Sequence, residues 1–245
     1  IKSIANAASR IVPSMAGLYL LSALIILMLS IDKIDDALNL IIQSAFGLGS
    51  FTGGAIGALI IGFQRSAFSN EAGMGTASIA HSAVETDEPI SEGLVSLLEP
   101  FIDTMVICTL TSLVIITTLY TNDPSLGNLE GIAITSAAFA FHIDWFPVVL
   151  GIAALLFAFS TAIAWAYYGL KSWTYIFGES RGSELVFKMI FCLFVCLGCM
   201  IKLSAVLDFS DAMVFVIAVP NIIGLYLYAP EVKRDLKAYL ARHKI

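Results

Sequence analysis

The chain has 245 residues, of which 58% are hydrophobic and only 13% are charged, and its formal net charge at pH 7 is −6. Soluble domains are typically about 45–50% apolar and about 25% charged, so this composition indicates an integral membrane protein. Basic clusters are scarce before the C-terminal tail. The sequence therefore predicts no surface that binds the phosphates of a nucleic acid, and no nucleic-acid partner is expected.

Apolar runs that are long enough to cross a membrane recur along the chain. A transmembrane helix needs about 20 mainly apolar residues, and in lipid its backbone groups must be satisfied within the segment. Five runs meet this requirement and are predicted to be helices: 11–30, 94–119, 147–168, 185–203 and 211–229. A further stretch, 53–86, is apolar near its start and polar in its middle. We interpret it as a sixth crossing that is broken at its centre.

Three shorter segments are not predicted to cross. Residues 36–50 have the pattern of a short helix near the outer surface. Residues 130–141 are apolar but too short to span, which is typical of a helical hairpin dipping against the outer face. Residues 231–245 are basic and amphipathic, and they are predicted to form a tail helix at the inner interface.

Lysine and arginine are distributed unequally between the two sets of loops. If the N-terminal edge is cytoplasmic, six crossings place Lys171, Arg181, Lys188 and the basic tail inside, and only Lys33 and Lys202 outside. This asymmetry obeys the positive-inside rule. It predicts a multi-pass protein of the plasma (inner) membrane with a cytoplasmic C-terminus.

The sequence FSNEAGMGT, residues 68–76, interrupts the predicted crossing 53–86. Gly73 and Gly75 each lower helix propensity by about 1 kcal/mol relative to Ala. Ser69 and Asn70 compete for backbone hydrogen bonds and favour helix caps over helix interiors. Two interpretations remain open: a crossing made of two half-helices, or a surface loop between two separate short helices. Interrupted hydrophobic segments are the sequence feature that points to transporter binding sites, which favours the first.

A broken helix at membrane depth exposes peptide groups to a ligand. Freed N–H groups bind an anion such as a carboxylate, and freed C=O groups bind a small cation or an ammonium. The stretch is therefore predicted to form a polar site the size of a zwitterion. Glu71 either pairs with Arg65 as a structural group or takes part in orienting the site or coupling a cation. Asp103 likewise either belongs to a coupling pathway or pairs with Arg65.

Other polar and thiol groups have less specific patterns. The hydroxyl pair Ser160 and Thr161 either bonds back to helix carbonyls or serves a ligand. Trp165 either walls a cavity or lies in an interfacial aromatic belt. His81 is interpreted as an interhelical hydrogen-bonding group rather than a proton relay. The run CLFVCLGC is interpreted as apolar packing rather than a metal site, because no His or acid flanks it.

Four runs, RSAFSNEAGMGTA, DTMVICTLTSLVI, FAFSTAIAWAYYG and VPNIIGLYLY, follow one another between about residues 12 and 228. Together they resemble the alanine or glycine:cation symporter family, the sodium:alanine symporters, and FSNEAG is the most specific of their elements. The chain departs from the family pattern at Ser66, where the family has Gly, at Thr76, where it has Ser, and at Glu92, where it has Gln.

The resemblance implies an all-α integral membrane fold with LeuT-like inverted repeats and about six transmembrane helices in this chain, one of them broken. Residues 1–245 would be the C-terminal portion of a single transporter domain. Within it, 11–30 would be the last helix of the first repeat, 53–229 the second repeat and 231–245 the cytoplasmic tail. The N-terminal half of the transporter would be a separate, missing part and a partner of these residues.

The resemblance also implies roles for individual residues. The substrate would be surrounded by eight residues: Phe68, Ser69, Asn70, Glu71, Gly73, Gly75, Thr76 and Trp165. Phe68 would cover a methyl-sized side chain, and amides around Gly73 to Thr76 would meet the carboxylate. Ser160 and Thr161 would contribute oxygen ligands to a sodium ion, for which hard oxygen donors are suited.

The implied function is secondary active transport: sodium-coupled symport of alanine or glycine into the cell. The partners would be the amino acid, the sodium ion and the lipid bilayer, with no cofactor beyond the coupling ion. The alternative is an ion channel or a non-transporting membrane subunit, although no charge ring or carbonyl filter is visible. An enzyme is not expected, because the His-Glu-x-x-His pattern and similar catalytic motifs do not occur.

Overall fold

The computed structural model describes residues 2–46, 54–120, 129 and 131–243. In these residues every regular element is a helix. The last residues of the predicted helix 36–50, the first residue of the predicted crossing 53–86 and the start of the predicted hairpin 130–141 lie outside the described residues. The described residues confirm the all-α class that the composition and the apolar runs indicate.

The helices follow one another along the chain with short connections. In order they are α1 (Lys2–Leu29), α2 (Ile34–Phe46), α3 (Gly54–Asn70), α4 (Thr76–His81), α5 (Pro89–Ser96), α6 (Leu98–Pro100), α7 (Thr109–Ile115), α8 (Ile132–Ala140), α9 (Phe146–Phe177), α10 (Arg181–Gly198) and α11 (Leu203–His243). A 3₁₀ turn, Ile31–Lys33, precedes α2. Wide π-type turns at Phe101–Cys108 and Ile116–Tyr120 join α6 to α7 and extend α7.

Four helical stretches of the described residues are long and apolar enough to cross a membrane. They are Val12–Leu29, Pro89–Tyr120, Phe146–Phe177 and Leu203–His243. The stretches α3 and α4 have only 17 and 6 residues, so neither crosses alone. Helix α10 has 18 residues but carries Arg181, Glu184 and Lys188. The length and composition of these four stretches are consistent with an integral membrane protein, and the count of six crossings stays a prediction.

The chain divides into two compact units. The first comprises residues Ile1–Ile61 and Thr104–Ala164, and the second comprises Gly62–Asp103 and Trp165–Ile245. The division falls within helices, so α3, the π-type turn and α9 each contribute residues to both units.

The core of the first unit is aromatic and aliphatic. Phe139 of α8 is fully buried and stacks on Phe146 of α9, with ring centroids 4.6 Å apart. Ile26 of α1 and Val114 of α7 are also fully buried in this cluster. Helix α8 is apolar on all sides, and such a helix is stable only when it is covered by protein or lipid. Ala138 and Phe139 of α8 are buried in this core, and the helical hairpin expected against the outer face at 130–141 stays a prediction.

The connection after α8 is fastened to the end of α1. The Ser30 hydroxyl and His142 Nε2 form a hydrogen bond of 2.8 Å. Burial, and then the positive charge of Lys33, lower the pKa of His142. Both effects favour the neutral imidazole, which is the form in which Nε2 can accept a hydrogen bond from the Ser30 hydroxyl.

Helix α11 is longer than the membrane requires. Its 41 residues extend roughly 60 Å by the helical rise, about twice the thickness of the hydrocarbon layer. Its C-terminal end packs in the second unit, where Arg242 and His243 contact Glu88 at 2.6 and 3.0 Å. The tail expected as a separate helix from residue 231 is therefore a continuation of α11 as far as His243, because Pro230 does not interrupt the helix.

The aromatic stack of the first unit leads to a prediction of stability. Phe139→Ala is expected to lower the free energy of unfolding by about 3–5 kcal/mol, because it leaves a cavity under Phe146. The neighbouring Phe141 is 48% exposed, so Phe141→Ala is the matched control, with an expected change of about 1 kcal/mol or less. Thermal and denaturant unfolding of the detergent-purified protein measures both. Equal effects of the two substitutions would contradict this description of the core.

Candidate functional site

A non-helical segment separates α3 from α4. Helix α3 ends at Asn70 and α4 begins at Thr76, so residues Glu71–Gly75 form a break segment between two half-helices. The backbone φ angle is positive at Glu71 (+54°), Gly73 (+85°) and Gly75 (+94°). Three left-handed residues within five cannot be accommodated in an α-helix. The predicted interruption at residues 68–76 is thus confirmed as a break in the helix, and its non-helical part is residues 71–75.

Local hydrogen bonds replace the helical ones in the break segment. Asn70 Oδ1 accepts a bond of 2.9 Å from the N–H of Ala72, which forms an Asx turn. The N–H of Met74 donates to the carbonyl of Glu71 at 3.1 Å. The Ser78 hydroxyl donates to the carbonyl of Gly75 at 2.9 Å. The preference of Asn for such local bonds explains why the helix ends at this residue.

Glu71 is held by an aromatic side chain from α9. The indole Nε1–H of Trp165 donates to Glu71 Oε1 at 2.9 Å. Trp165 therefore lies beside the break segment, and its role as a cavity wall stays a prediction. Glu71 is the only residue other than glycine with a positive φ in the described part of the chain, and the indole bond fixes its side chain.

The partner of Arg65 is Asp211, which the sequence analysis did not identify. The carboxylate of Asp211 lies on α11, is buried, and accepts hydrogen bonds on Oδ2 from both Arg65 and Gln64. The guanidinium also lies 5.8 Å from the ring centroid of Phe68. Neither Glu71 nor Asp103 pairs with Arg65. The available signal was an acid within an apolar run, since ionisable residues in membrane segments are expected to have partners.

Asp103 contacts the last turn of α3 instead. It lies in the π-type turn Phe101–Cys108, and its Oδ2 accepts a hydrogen bond from the Ser69 hydroxyl. Wide turns of this kind occur frequently at functional sites because they redirect side chains out of the regular helical spacing. Ser69 is therefore engaged by a carboxylate on its outer side.

A second residue of α11 reaches the break segment. Asn221 Nδ2 donates to the carbonyl of Gly73 at 2.8 Å. In the sequence, Asn221 is distinguished only as a member of the run VPNIIGLYLY. No local pattern indicates that it contacts Gly73, because the two residues are 148 positions apart.

Two buried oxygens near the break segment have no partner within the described residues. They are the Thr76 hydroxyl and Oδ1 of Asp211. Thr76 is only 6% exposed, and Met74 beside it is 1% exposed. A buried polar atom without a hydrogen bond costs about 1–3 kcal/mol, so the Thr76 hydroxyl is a natural position for a ligand to bind.

The second half-helix is fastened to the following helix. His81 Nδ1 and Glu92 Oε1 are 2.6 Å apart in a hydrogen bond between α4 and α5. The other ring nitrogen lies 3.8 Å from Glu99 Oε2. This arrangement agrees with the interhelical hydrogen-bonding role predicted for His81, and Glu92 is a residue at which the chain departs from the family pattern.

The predicted sodium ligands lie in the first unit. The Ser160 hydroxyl donates to the carbonyl of Phe157 at 2.9 Å, the back-bonding that is common in membrane helices. Thr161 is exposed. Within the described residues no group of three or more His, Cys, Asp or Glu side chains could hold a metal ion. The role of Ser160 and Thr161 in sodium binding stays a prediction.

An all-helical membrane protein that breaks one of its helices around a buried polar group has the properties of a membrane transporter. The family comparison agrees with this class: the model of the sodium:alanine symporter family matches residues 1–245. The chain belongs to that family.

Several curated relatives are similar over nearly the whole chain. The "Sodium/alanine symporter AgcS" of Methanococcus maripaludis is 38% identical over 98% of this chain and 52% of its own length. An "Uncharacterized transporter" of Haemophilus influenzae is 36% identical over 100% of this chain and 54% of its own length. The "Probable sodium/glutamine symporter GlnT" of Bacillus subtilis is 33% identical over 100% of this chain and 51% of its own length.

The chain spans about half the length of the curated relatives it matches. No solved structure matches the chain.

Replacement of glycine by alanine is predicted to have opposite effects on stability at two positions of this region. At Gly73 a Cβ would meet no atom within 4 Å, but φ is +85°, so Gly73→Ala is expected to destabilise by about 1–2 kcal/mol. Gly62, inside α3, has the same open surroundings and no positive φ, so Gly62→Ala is expected to stabilise by about 1 kcal/mol. Thermal unfolding of the purified variants measures the difference. A stabilising Gly73→Ala would mean that the segment is helical.

Proposed function

We propose that the full-length protein carrying this chain is a secondary active transporter that imports a small neutral amino acid, alanine or glycine, together with sodium. The family and the names of its curated relatives support this proposal. One relative is named a sodium/alanine symporter and another a probable sodium/glutamine symporter. The two amino acids in these names, alanine and glutamine, are neutral zwitterions, so their shared chemistry is one carboxylate, one ammonium and an uncharged side chain.

The observation that carries the proposal is the unpartnered, buried hydroxyl of Thr76 at the end of the break segment. Two amides of the segment, those of Ala72 and Met74, already bond within the chain. We therefore assign the substrate carboxylate to the Thr76 hydroxyl and to the amides of Gly73 and Gly75. A carboxylate in a low-dielectric site is stabilised by such preorganised donors more strongly than in water.

The side chains around the break segment suit a small substrate. Phe68 would cover the methyl group of alanine, and the Arg65 guanidinium, 5.8 Å from its ring centroid, would limit the movement of that ring. Trp165 would form a wall, with its orientation set by the bond to Glu71. Ser69 and Asn70, on the last turn of α3, would face the ammonium with their oxygens and with the carbonyls at the helix end.

Sodium would bind through the hydroxyls of Ser160 and Thr161, with its remaining ligands from the N-terminal half of the transporter. Binding of the ion and the amino acid would then be linked, because each raises the affinity for the other by the same factor. In this arrangement 11–30 completes a first repeat, 53–229 forms the second repeat, and the LeuT-like pair alternates access by rocking. The protein would lie in the inner membrane with residues 231–245 in the cytoplasm.

Uptake into proteoliposomes tests the proposal. The full-length protein is expected to accumulate labelled alanine or glycine when a sodium gradient is imposed, and labelled glutamine serves as the competing substrate. Replacing the sodium gradient by a potassium gradient is the control. An ion current that needs no amino acid would contradict symport and favour a channel.

Two substitutions of Thr76 distinguish a role in substrate binding from a role in packing. Thr76→Val keeps the shape but removes the hydroxyl, so KM for the amino acid is expected to rise by about tenfold or more. Thr76→Ser keeps the hydroxyl and is expected to stay within about threefold of the wild type. The readout is the initial rate of uptake as a function of amino-acid concentration. A Thr76→Val variant with unchanged KM would remove Thr76 from the site.

The sodium assignment is tested on α9. Ser160→Ala combined with Thr161→Val is expected to raise the sodium concentration for half-maximal uptake by about tenfold, equivalent to about 1.4 kcal/mol of binding free energy. Ser172→Ala is the matched control, since its hydroxyl makes the same kind of back bond, to the carbonyl of Tyr168 at 3.0 Å. Normal transport by the double variant at low sodium would show that the ion binds elsewhere.

A further inference from the structure

Helix α11 contacts the chain of α3 and the break segment at two places. Asp211 bonds to Gln64 and Arg65 before the break segment, and Asn221 bonds to Gly73 within it. The sequence separations of these pairs are 147, 146 and 148 residues. Because these separations are nearly equal, α11 runs parallel to the chain that leads from α3 into the break segment. The first contact fixes the end of α3, and the second fixes the peptide groups that follow it.

The side-chain amide of Asn221 contacts two residues of the break segment at once. Its Nδ2 donates to the carbonyl of Gly73 at 2.8 Å. A Cβ placed on Gly75 would lie 3.2 Å from its Oδ1 and 3.3 Å from its Cγ. One planar group therefore bonds to Gly73 and occupies the space beside Gly75, with the buried Met74 between them.

The peptide unit that joins Gly73 to Met74 is held at both ends. Its carbonyl accepts from Asn221, and its N–H donates to the carbonyl of Glu71 at 3.1 Å. A peptide plane with both polar groups engaged cannot rotate without breaking a hydrogen bond. The amides on either side of this plane belong to Gly73 and Gly75, and their directions follow from its orientation.

We propose that Asn221 is a positioning residue for the amino-acid substrate, and this inference rests on the proposed function. Asn221 does not touch the substrate. It fixes the Gly73–Met74 peptide so that the amides of Gly73 and Gly75 point to the same side as the Thr76 hydroxyl. It also uses one of the two lone pairs of the Gly73 carbonyl, so this carbonyl has one acceptor position left.

Two substitutions of Asn221 test the inference. Asn221→Leu has similar size and no hydrogen-bond donor, and Asn221→Asp has the same shape but, when ionised, no donor towards Gly73. At pH 7.5 both are expected to weaken alanine binding in the presence of sodium by about tenfold. The measurement is equilibrium binding of labelled alanine to the full-length protein in detergent, with thermal unfolding recorded on the same samples.

A pH profile distinguishes positioning from simple packing. Asn221 is half-buried, and partial removal of water raises the pKa of a carboxyl group at this position. A protonated carboxyl is a donor of the same shape as the amide. Between pH 7.5 and pH 5 the affinity of Asn221→Asp, relative to wild type at each pH, is expected to recover by at least threefold. The relative affinity of Asn221→Leu is expected to stay constant, because leucine gains no donor.

The outcomes separate the inference from the proposed function. If the wild type binds no alanine or glycine in sodium, the proposed function fails and the inference fails with it. If the wild type binds and Asn221→Leu binds equally well, only the inference is overturned. If Asn221→Leu does not fold, the change of alanine affinity of Asn221→Asp with pH tests the inference instead. A relative affinity of Asn221→Asp that does not change with pH would show that Asn221 acts through packing alone.

Discussion

Peptide groups that leave the helical hydrogen-bonding pattern need other hydrogen-bonding partners, and the structure around Glu71–Gly75 depends on this constraint. Five residues leave the helical hydrogen-bonding pattern there, and side chains from several helices compensate. Asn70 caps the end of α3, Trp165 of α9 holds Glu71, and Asn221 of α11 holds Gly73. Side chains of three helices therefore stabilise the break, whereas its own sequence sets its location.

The location of the break could be predicted from the sequence because its causes are local. Gly73 and Gly75 occupy left-handed backbone positions, and Asn70 makes the side-chain to backbone bond for which its residue type is preferred. The contact between Trp165 and this segment could be anticipated only from the family resemblance. The roles of these residues in transport are proposals, since their hydrogen bonds do not show what they bind.

The partners of the buried polar groups could not be predicted in the same way. Arg65 pairs with Asp211 rather than with Glu71 or Asp103, and Asn221 reaches Gly73 across 148 residues. Such contacts depend on which helices are neighbours, and apolar periodicity does not carry that information. The bounds of α9 and α11 were underestimated for a related reason. Hydropathy detects the part of a helix that suits lipid, whereas the helix itself continues to Phe177 and His243.

The close contact between Gly75 and Asn221 restricts the order in which these two positions can change during evolution. A methyl group on Gly75 would lie 3.2 Å from the side chain of Asn221 and would also require an unfavourable left-handed alanine. A lineage could enlarge position 75 only after a smaller residue had replaced Asn221. That first step would itself release the carbonyl of Gly73. The two sites are thus expected to vary jointly or not at all, although they are encoded far apart.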